Sequence, residues 1–292
     1  MSTPHYFQGN RLLDALSSAE KIRIYPQLER ILLPLGFAMY DSRLSQRYVY
    51  FPAGAVISLQ CLMTNGNAGE TAAVGNEGMV GTAIVMGAES TLGRAVVKRA
   101  GIGYRLKSQA IKQEFDRAGR LMRLLLRYTQ ALITQTSQNA VCTRHHSIDQ
   151  QVCRKLLESL DRTQTTEMRL TQEILATVLG VRRESVTTSA GKLRKVGLIC
   201  YGRGHISVLD RAGLERRSCE CYEVVKREYT RLLCSDLAAR GEVSRSPTFL
   251  ESSMRNAHLP NTDYGSPAGL QGKYRFGHRA PPDGSVSIIY NR

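Results

Sequence analysis

Residues 170–197 hold the chain's most informative chemistry: charged and hydroxyl side chains set on one face of an apolar repeat. Thr171 stands where it can cap a helix, with Leu170 and Leu175 placed as a hydrophobic staple and Glu173 in the first turn. Ile174, Val178 and Leu179 form the expected inward stripe of that helix, and Gly180-Val181 a tight turn after it. Val186, Ala190, Leu193 and Gly197 then recur at steps of four, three and four, which predicts a second helix crossing the first. Two short helices about a glycine turn can lay the second helix in the major groove of DNA.

With the apolar residues turned inward, Arg183, Glu184, Thr187 and Thr188 face outward near the start of this recognition helix, residues 182–196. Arg183 can give two hydrogen bonds to guanine, Glu184 can accept from a cytosine or adenine amino group, and Thr188 can meet a thymine methyl. Arg182, Lys192, Arg194 and Lys195, with Thr171 and Arg203, are the candidate phosphate contacts, which position a protein without reading sequence. Leu198–Tyr201 and His205–Leu209 alternate around Gly202-Arg203-Gly204 as a β-hairpin wing.

Other elements must carry this unit. Tyr48–Phe51, Ala55–Met63, Glu70–Val74, Ala95–Lys98 and Ile102–Leu106 read as short strands separated by glycines, the pattern of an antiparallel sandwich or barrel. Ahead of them Asn10 is placed to cap a helix starting at Arg11, and Ala19–Leu33 reads as a helical stretch interrupted at Pro26. Ser108 to about Thr143 reads as one long helix, and a further helix begins at Ser147. Along the long helix Leu121, Leu125, Tyr128, Leu132, Gln135, Asn139 and Cys142 form a heptad-like seam, which predicts either packing on the chain's own barrel or, as the favoured reading, a coiled coil with a second subunit through Leu121, Leu125, Tyr128 and Leu132. Polar Gln135 and Asn139 in such a seam fix register or meet a ligand.

The fold class expected is α+β: an antiparallel β-roll at 10–107, a linker and dimerisation helix at 108–143, a winged helix-turn-helix domain at 144–234, and a flexible tail at 235–292, where five of the nine prolines fall. The formal charge of +15 on 292 residues favours polyanionic partners, double-stranded DNA first. It does not locate the contact, because residues 1–141 hold 16 basic and 9 acidic residues and residues 142–235 hold 17 and 11. The N-terminus lacks a signal-peptide pattern and no apolar stretch is long enough to span a bilayer, so a cytoplasmic protein without a membrane partner is expected. The seven cysteines show no paired Cys-x-x-Cys spacing and read as reduced thiols. On a helix Cys219 and Cys221 would point to different faces, and His145-His146 reads as a hinge or surface feature, so no metal or cofactor is expected. Gly75, Gly78 and Gly81 lack the dinucleotide spacing, and no nucleophile, base and orienting group fall together, so no enzyme is expected.

Over roughly residues 10–234 the chain resembles the Crp/Fnr family of bacterial transcription regulators, through Tyr50-Phe51-Pro52-Ala53-Gly54, Gly75-Asn76-Glu77-Gly78-Met79-Val80-Gly81 and the Arg183-Glu184 pair. The resemblance implies a cyclic-nucleotide-binding-like β-roll, a homodimer on a palindromic site, and RNA polymerase as a further partner. The family's later recognition-helix arginine is replaced by Thr188, so guanine and cytosine readout by Arg183 and Glu184 is expected and readout at the third position is not carried over. Members that bind cyclic AMP hold the ribose with a glutamate after a glycine and the phosphate with an arginine before serine or threonine. Here Thr82 follows Gly81 and Ala95 follows Arg94, so cyclic AMP is not the expected effector. Gly78, Gly81, Thr82, Arg94 and Gln135 remain the candidate residues for a small-molecule effector of another kind. A ligand sensor using its winged helix to dock a protein partner, and a general nucleic-acid coating protein, are the competing readings.

Overall fold

A computed structural model describes residues 9–64, 68–163, 167–168, 170–202 and 204–238, all within one compact unit. The expected tail beyond residue 238, and Arg203, lie outside the described residues.

Asn10 starts the fold as its residue type predicts. Its side-chain oxygen accepts from the Leu12 and Leu13 amides to cap α1 (Arg11–Asp14), while its amide donates to the Pro52 and Gly78 carbonyls, both at 2.9 Å. One buried side chain thus ties the N-terminus to two turns of the β-roll, with its polar atoms paired. Ser17 and Glu20 form a capping box on α2 (Ser18–Ile24). The helix stops at Pro26, and the residues expected to resume it form a 3₁₀ turn and then β1 (Glu29–Leu33). Proline removes a helical donor, and pairing of β1 with a neighbouring strand decides the outcome against local propensity.

β2 (Ala38–Tyr40), β3 (Tyr48–Pro52), β4 (Val56–Leu62), β5 (Ala68–Val74), β6 (Gly93–Arg99) and β7 (Gly101–Lys107) complete the roll. They form two antiparallel sheets, ordered β1-β7-β3 and β2-β6-β4-β5, with Val49, Phe51, Ile57, Val74, Val97 and Leu106 in the core. A short helix α3 (Thr82–Val85) follows the glycine-rich segment.

The long helix expected from Ser108 is two helices, α4 (Ser108–Asp116) and α5 (Arg120–His145), broken where Ala118 takes a left-handed φ of 55°. Arginine and alanine favour helix, and Gly119, the extended residue just before α5, is the local sign of this break. Glu20 supplies what α5 lacks at its start: its carboxylate accepts from the Leu121 amide at 2.7 Å.

α5 buries Leu121, Leu124, Leu125 and Tyr128 against the β-roll, and Leu132 packs on the same core. Tyr128 donates to the Met79 carbonyl at 2.9 Å, Gln135 donates to the Ala73 carbonyl, and Asn139 donates to the Thr71 carbonyl. The seam assigned to a dimer, Leu121, Leu125, Tyr128 and Leu132, is therefore covered by the chain itself. Gly78 is required there, since a Cβ would collide with the Tyr128 ring. The face of α5 left to solvent carries Leu126 and Ile133, with Met122, Thr129, Thr136 and Ala140 at the same alternating four and three steps.

α6 (Ile148–Thr163) has two buried faces. Val152, Cys153, Leu156, Leu157 and Leu160 enter the second core, with β8 (Glu167–Met168), α7 (Gln172–Leu179), α8 (Arg183–Lys195), β9 (Ile199–Gly202), β10 (His205–Val208) and α9 (Arg211–Arg217). The other face is ionic. Arg154 pairs with Glu158 at 2.7 Å, Lys155 lies 3.3 Å from Glu158 and 3.4 Å from Glu70, and Arg162 pairs with Glu77 at 2.8 Å. Lys98 of β6 completes the set at 2.8 Å from Glu70, which also accepts from Ser58. α10 (Cys221–Ala238) then returns along α5, with Tyr229 donating to Gln135 at 3.0 Å and packing edge-on against Tyr128. Among the described residues, no helix is long and apolar enough to cross a membrane.

Burial alone would raise the carboxyl of Glu158, but the charges of Lys155, Arg154 and Arg162 outweigh it and hold the group well below the ordinary carboxylate range. Glu70 is lowered in the same way: burial opposes, and Lys98 and Lys155 prevail. The stability both contribute is present above the unfolded carboxylate pKa of about 4.3 and is lost as pH falls toward the lower folded values. Glu158→Gln leaves buried cations unpaired and is expected to cost about 3–5 kcal/mol in urea unfolding near neutral pH. A loss below about 1 kcal/mol would contradict this account.

Candidate nucleic-acid interface

The helix pair at 171–195 is built from local signals. Thr171 caps α7, its hydroxyl accepting from the Ile174 amide at 3.1 Å. Gly180 ends α7 with φ 67°, a left-handed conformation that costs glycine little, and Val181 N–H returns to the Ala176 carbonyl. The inward residues of α7 are Leu175, Ala176 and Leu179. Ile174 and Val178, expected inside, instead line a narrow gap shared with Val56, Lys98 and Lys155 of the β-roll and α6. The apolar stripe is wider than one core needs because α7 serves two neighbours.

α8 turns Val186, Ala190 and Leu193 into the core and leaves Arg182, Arg183, Glu184, Thr187, Thr188, Lys192, Arg194 and Lys195 outside it, as their spacing predicts. Their availability differs. Arg183 is held only by a loose 3.7 Å approach to exposed Glu173. Thr188 donates to the Glu184 carbonyl of its own helix, so its methyl remains its apolar contact surface. Thr187 hydrogen-bonds Gln172 at 2.7 Å and tethers α8 to α7, which makes it a positioning residue more than a reader. Lys192 is engaged by Asp149 at 2.9 Å, and that lysine and its neighbours hold the Asp149 carboxyl below its ordinary value against a burial penalty. Arg194 and Lys195 remain in the exposed last turn, and Arg182 opens the helix with no side-chain cap on its free N–H groups.

Gln172 and Asp149 were not singled out by spacing. Gln172 at the start of α7 joins Thr187, and the polar residue after the capping threonine is its one trace in the sequence. The wing is a three-stranded sheet ordered β8-β10-β9, one strand more than the hairpin expected.

The effector candidates do not form one site. Gly78 packs on Tyr128, Gly81 packs on Val49, Thr82 opens α3, and Arg94 donates to Gln60 at 2.8 Å. Gln135 commits its side chain to Ala73 and Tyr229. Two cavities, of about 320 and 280 Å³, lie instead at Glu70, Asn139 and Arg154, and at Asn76, Arg162 and Tyr229.

Cys219 and Cys221 do not point apart. Cys219 stands before α10 and Cys221 opens it, so both sulfurs converge on Cys142 and His146.

Residues 150–217 match the family model of the Crp-like helix-turn-helix domain. A search of curated proteins finds no match. Among solved structures, a protein of the Crp/Fnr family from Eubacterium rectale aligns with TM-score 0.57 at 18% identity over 70% of this chain and 96% of its own. FixK2 from Bradyrhizobium japonicum aligns with TM-score 0.54 at 14% identity over 66% and 98%. A CRP-family transcriptional regulator from Thermus thermophilus gives 0.55 at 18% over 65% and 96%. The fold is thus shared along nearly the whole length of these proteins.

Thr187→Val removes the α7–α8 tether and is expected to cost about 1 kcal/mol in urea unfolding, whereas Thr188→Val, losing only a bond within its own helix, stays within about 0.5 kcal/mol. Equal costs at the two positions would show that the tether has no separate weight.

Proposed function

We propose that this chain, carrying a Crp-like helix-turn-helix domain on the fold of the Crp/Fnr regulators, is a DNA-binding transcription regulator that reads a palindromic site as a homodimer. The observation that carries the reading is the exposed start of α8, where Arg183 and Glu184 are free to meet base edges while the rest of the helix is anchored by Val186, Ala190 and Leu193. Arg182 and the α8 N-terminus offer donors to one phosphate, and Arg194 and Lys195 suit others. Lys192 is the weaker phosphate candidate because a contact must compete with Asp149.

A second copy supplies the palindrome. Leu126 and Ile133 are about half exposed on a face of α5 that no part of the described chain covers, and the 122, 126, 129, 133, 136, 140 spacing is that of a coiled-coil seam. A parallel pair of α5 helices along this face sets two copies of α8 for half-sites about one helical turn, ~34 Å, apart. The β-roll then acts as the sensor. Thr82 after Gly81 and Ala95 after Arg94 support an effector other than cyclic AMP, and recruitment of RNA polymerase belongs to the same reading.

Binding-site selection with the purified chain tests the function directly: a two-fold symmetric motif supports it, and binding with no preferred sequence at moderate salt points to a coating protein or a protein-docking role instead. On the selected site Arg183→Ala is expected to lose ~1–3 kcal/mol of discrimination at one base pair, whereas Arg194→Ala weakens all sequences alike and lowers the salt slope by about 1. The paired change Leu126→Glu and Ile133→Glu is expected to give a folded monomer in sedimentation, and an unchanged dimer would place the interface elsewhere.

A further inference from the structure

Four side chains outside the DNA-reading face converge where α5 ends and α10 begins. Cys142 lies in the last turn of α5 and His146 one turn on, so both face the same side. Opposite them, Ser218 leaves α9 in an extended conformation, which lets Cys219 and Cys221 turn their sulfurs to one point. The Cys142 and Cys219 sulfurs are 3.6 Å apart, the Cys221 sulfur lies 3.4 Å from His146 Nδ1, and all four donor atoms lie within 4.8 Å of one another.

The 3.6 and 3.4 Å separations match the edges of a tetrahedron about one ion, and the 4.8 Å bound on the others leaves the four donors close enough to draw in around it. Zinc–sulfur bonds of about 2.3 Å and zinc–nitrogen bonds of about 2.0–2.1 Å put neighbouring sulfurs about 3.8 Å apart and sulfur and nitrogen about 3.6 Å apart. A disulfide would need sulfurs at about 2.05 Å. An iron–sulfur cluster would set its cysteine sulfurs farther apart, because its own atoms stand between them. The surroundings also suit an ion. His146 Nε2 faces the Glu220 carboxylate at 3.2 Å, the outer partner that orients a metal-bound imidazole. Gln138 donates to the Cys221 sulfur at 3.1 Å, and Arg154 lines the same cavity as Cys142, its positive charge opposing the single negative charge that three thiolates leave on a divalent ion.

We propose that Cys142, His146, Cys219 and Cys221 form a structural Cys₃His site for a divalent zinc-class ion. The helix-turn-helix match at 150–217 falls wholly between His146 and Cys219. The ion therefore clasps both ends of the DNA-binding unit to the end of α5 and fixes how α8 is carried relative to that helix. Soft thiolates with one imidazole select zinc over magnesium or calcium, and four protein donors leave no open position for catalysis.

The test uses the full chain purified in reducing buffer and does not involve DNA. Close to one equivalent of zinc per chain is expected. Cobalt added to the chelated protein should produce the intense visible bands of a tetrahedral ion together with thiolate charge-transfer absorption. Cys142→Ser and Cys219→Ser should lose both signals, while Cys61→Ser and Cys200→Ser, at exposed sulfurs outside the cluster, should keep them. Should the first pair fail to fold, the wild-type chain still decides: chelation should expose three more reactive thiols and lower the melting temperature. No bound zinc and no cobalt bands, equal thiol counts before and after chelation, or a Cys142–Cys219 disulfide in the chain as isolated would each overturn the site.

Discussion

The placement of the DNA-binding unit depends on a buried ionic layer between α6 and the β-roll. Arg154, Lys155, Glu158 and Arg162 lie on one helix face, and Glu70, Glu77 and Lys98 answer them from the sheet side. Such a layer is a poor source of net stability, because taking each ion out of water costs several kcal/mol before attraction offsets it. Its physical value is geometric. An apolar face tolerates sliding by an ångström or a small rotation, whereas carboxylates shared among cations in low dielectric lose strongly when displaced. The layer holds α6 in one register, and the apolar face of α6 holds α8 through the second core.

Much of this arrangement was legible, and the failures have a common cause. Asn10, Thr171 and Gly180 do what their types require because caps and left-handed turns are decided within a few residues. The exposed face of α8 followed from the 186, 190, 193 spacing for the same reason. The strands β1 and β2 were missed because their partners, β7 and β6, lie more than fifty residues away, and tertiary pairing overrides the helical pattern of the segment after Ala19. The ionic layer was invisible in the same sense: Glu70, Glu77 and Lys98 are ordinary polar residues until the fold brings α6 onto them.

α5 shows how a correct period can still give a wrong partner. Two sets of residues share the four and three spacing, one at 121, 125, 128, 132, 135, 139 and 142, and one a single residue further on at 122, 126, 129, 133, 136 and 140. The first is the more apolar, and its aromatic Tyr128 and amide Gln135 reach backbone carbonyls of the β-roll that would otherwise be buried without partners. A seam that satisfies the chain's own carbonyls is worth more inside the subunit than against a second copy. The weaker stripe, with Leu126 and Ile133, is left to solvent. The cysteines were misread by a similar step, since treating Cys219 and Cys221 as helical neighbours ignored the break before α10 that Ser218 provides.

The charge of +15 takes on a different meaning once burial is known. Lys98, Arg154, Lys155 and Arg162 are cations in the formal sum, yet each lies within a few ångströms of Glu70, Glu77 or Glu158, so three of their four charges are balanced inside the protein. On α8 the order reverses. Lys192 is paired, but at 59% exposure its bond to Asp149 is a surface ion pair worth at most about 1 kcal/mol, which phosphate can displace. Arg183 approaches Glu173 only at 3.7 Å, with both side chains mostly in water. Screening by that water leaves the pair too weak to immobilise the arginine, so its guanidinium fork stays open to solvent. The chain therefore separates its charges by environment: those that set the position of α6 are paired within the protein, and those on the outer face of α8 are left to solvent.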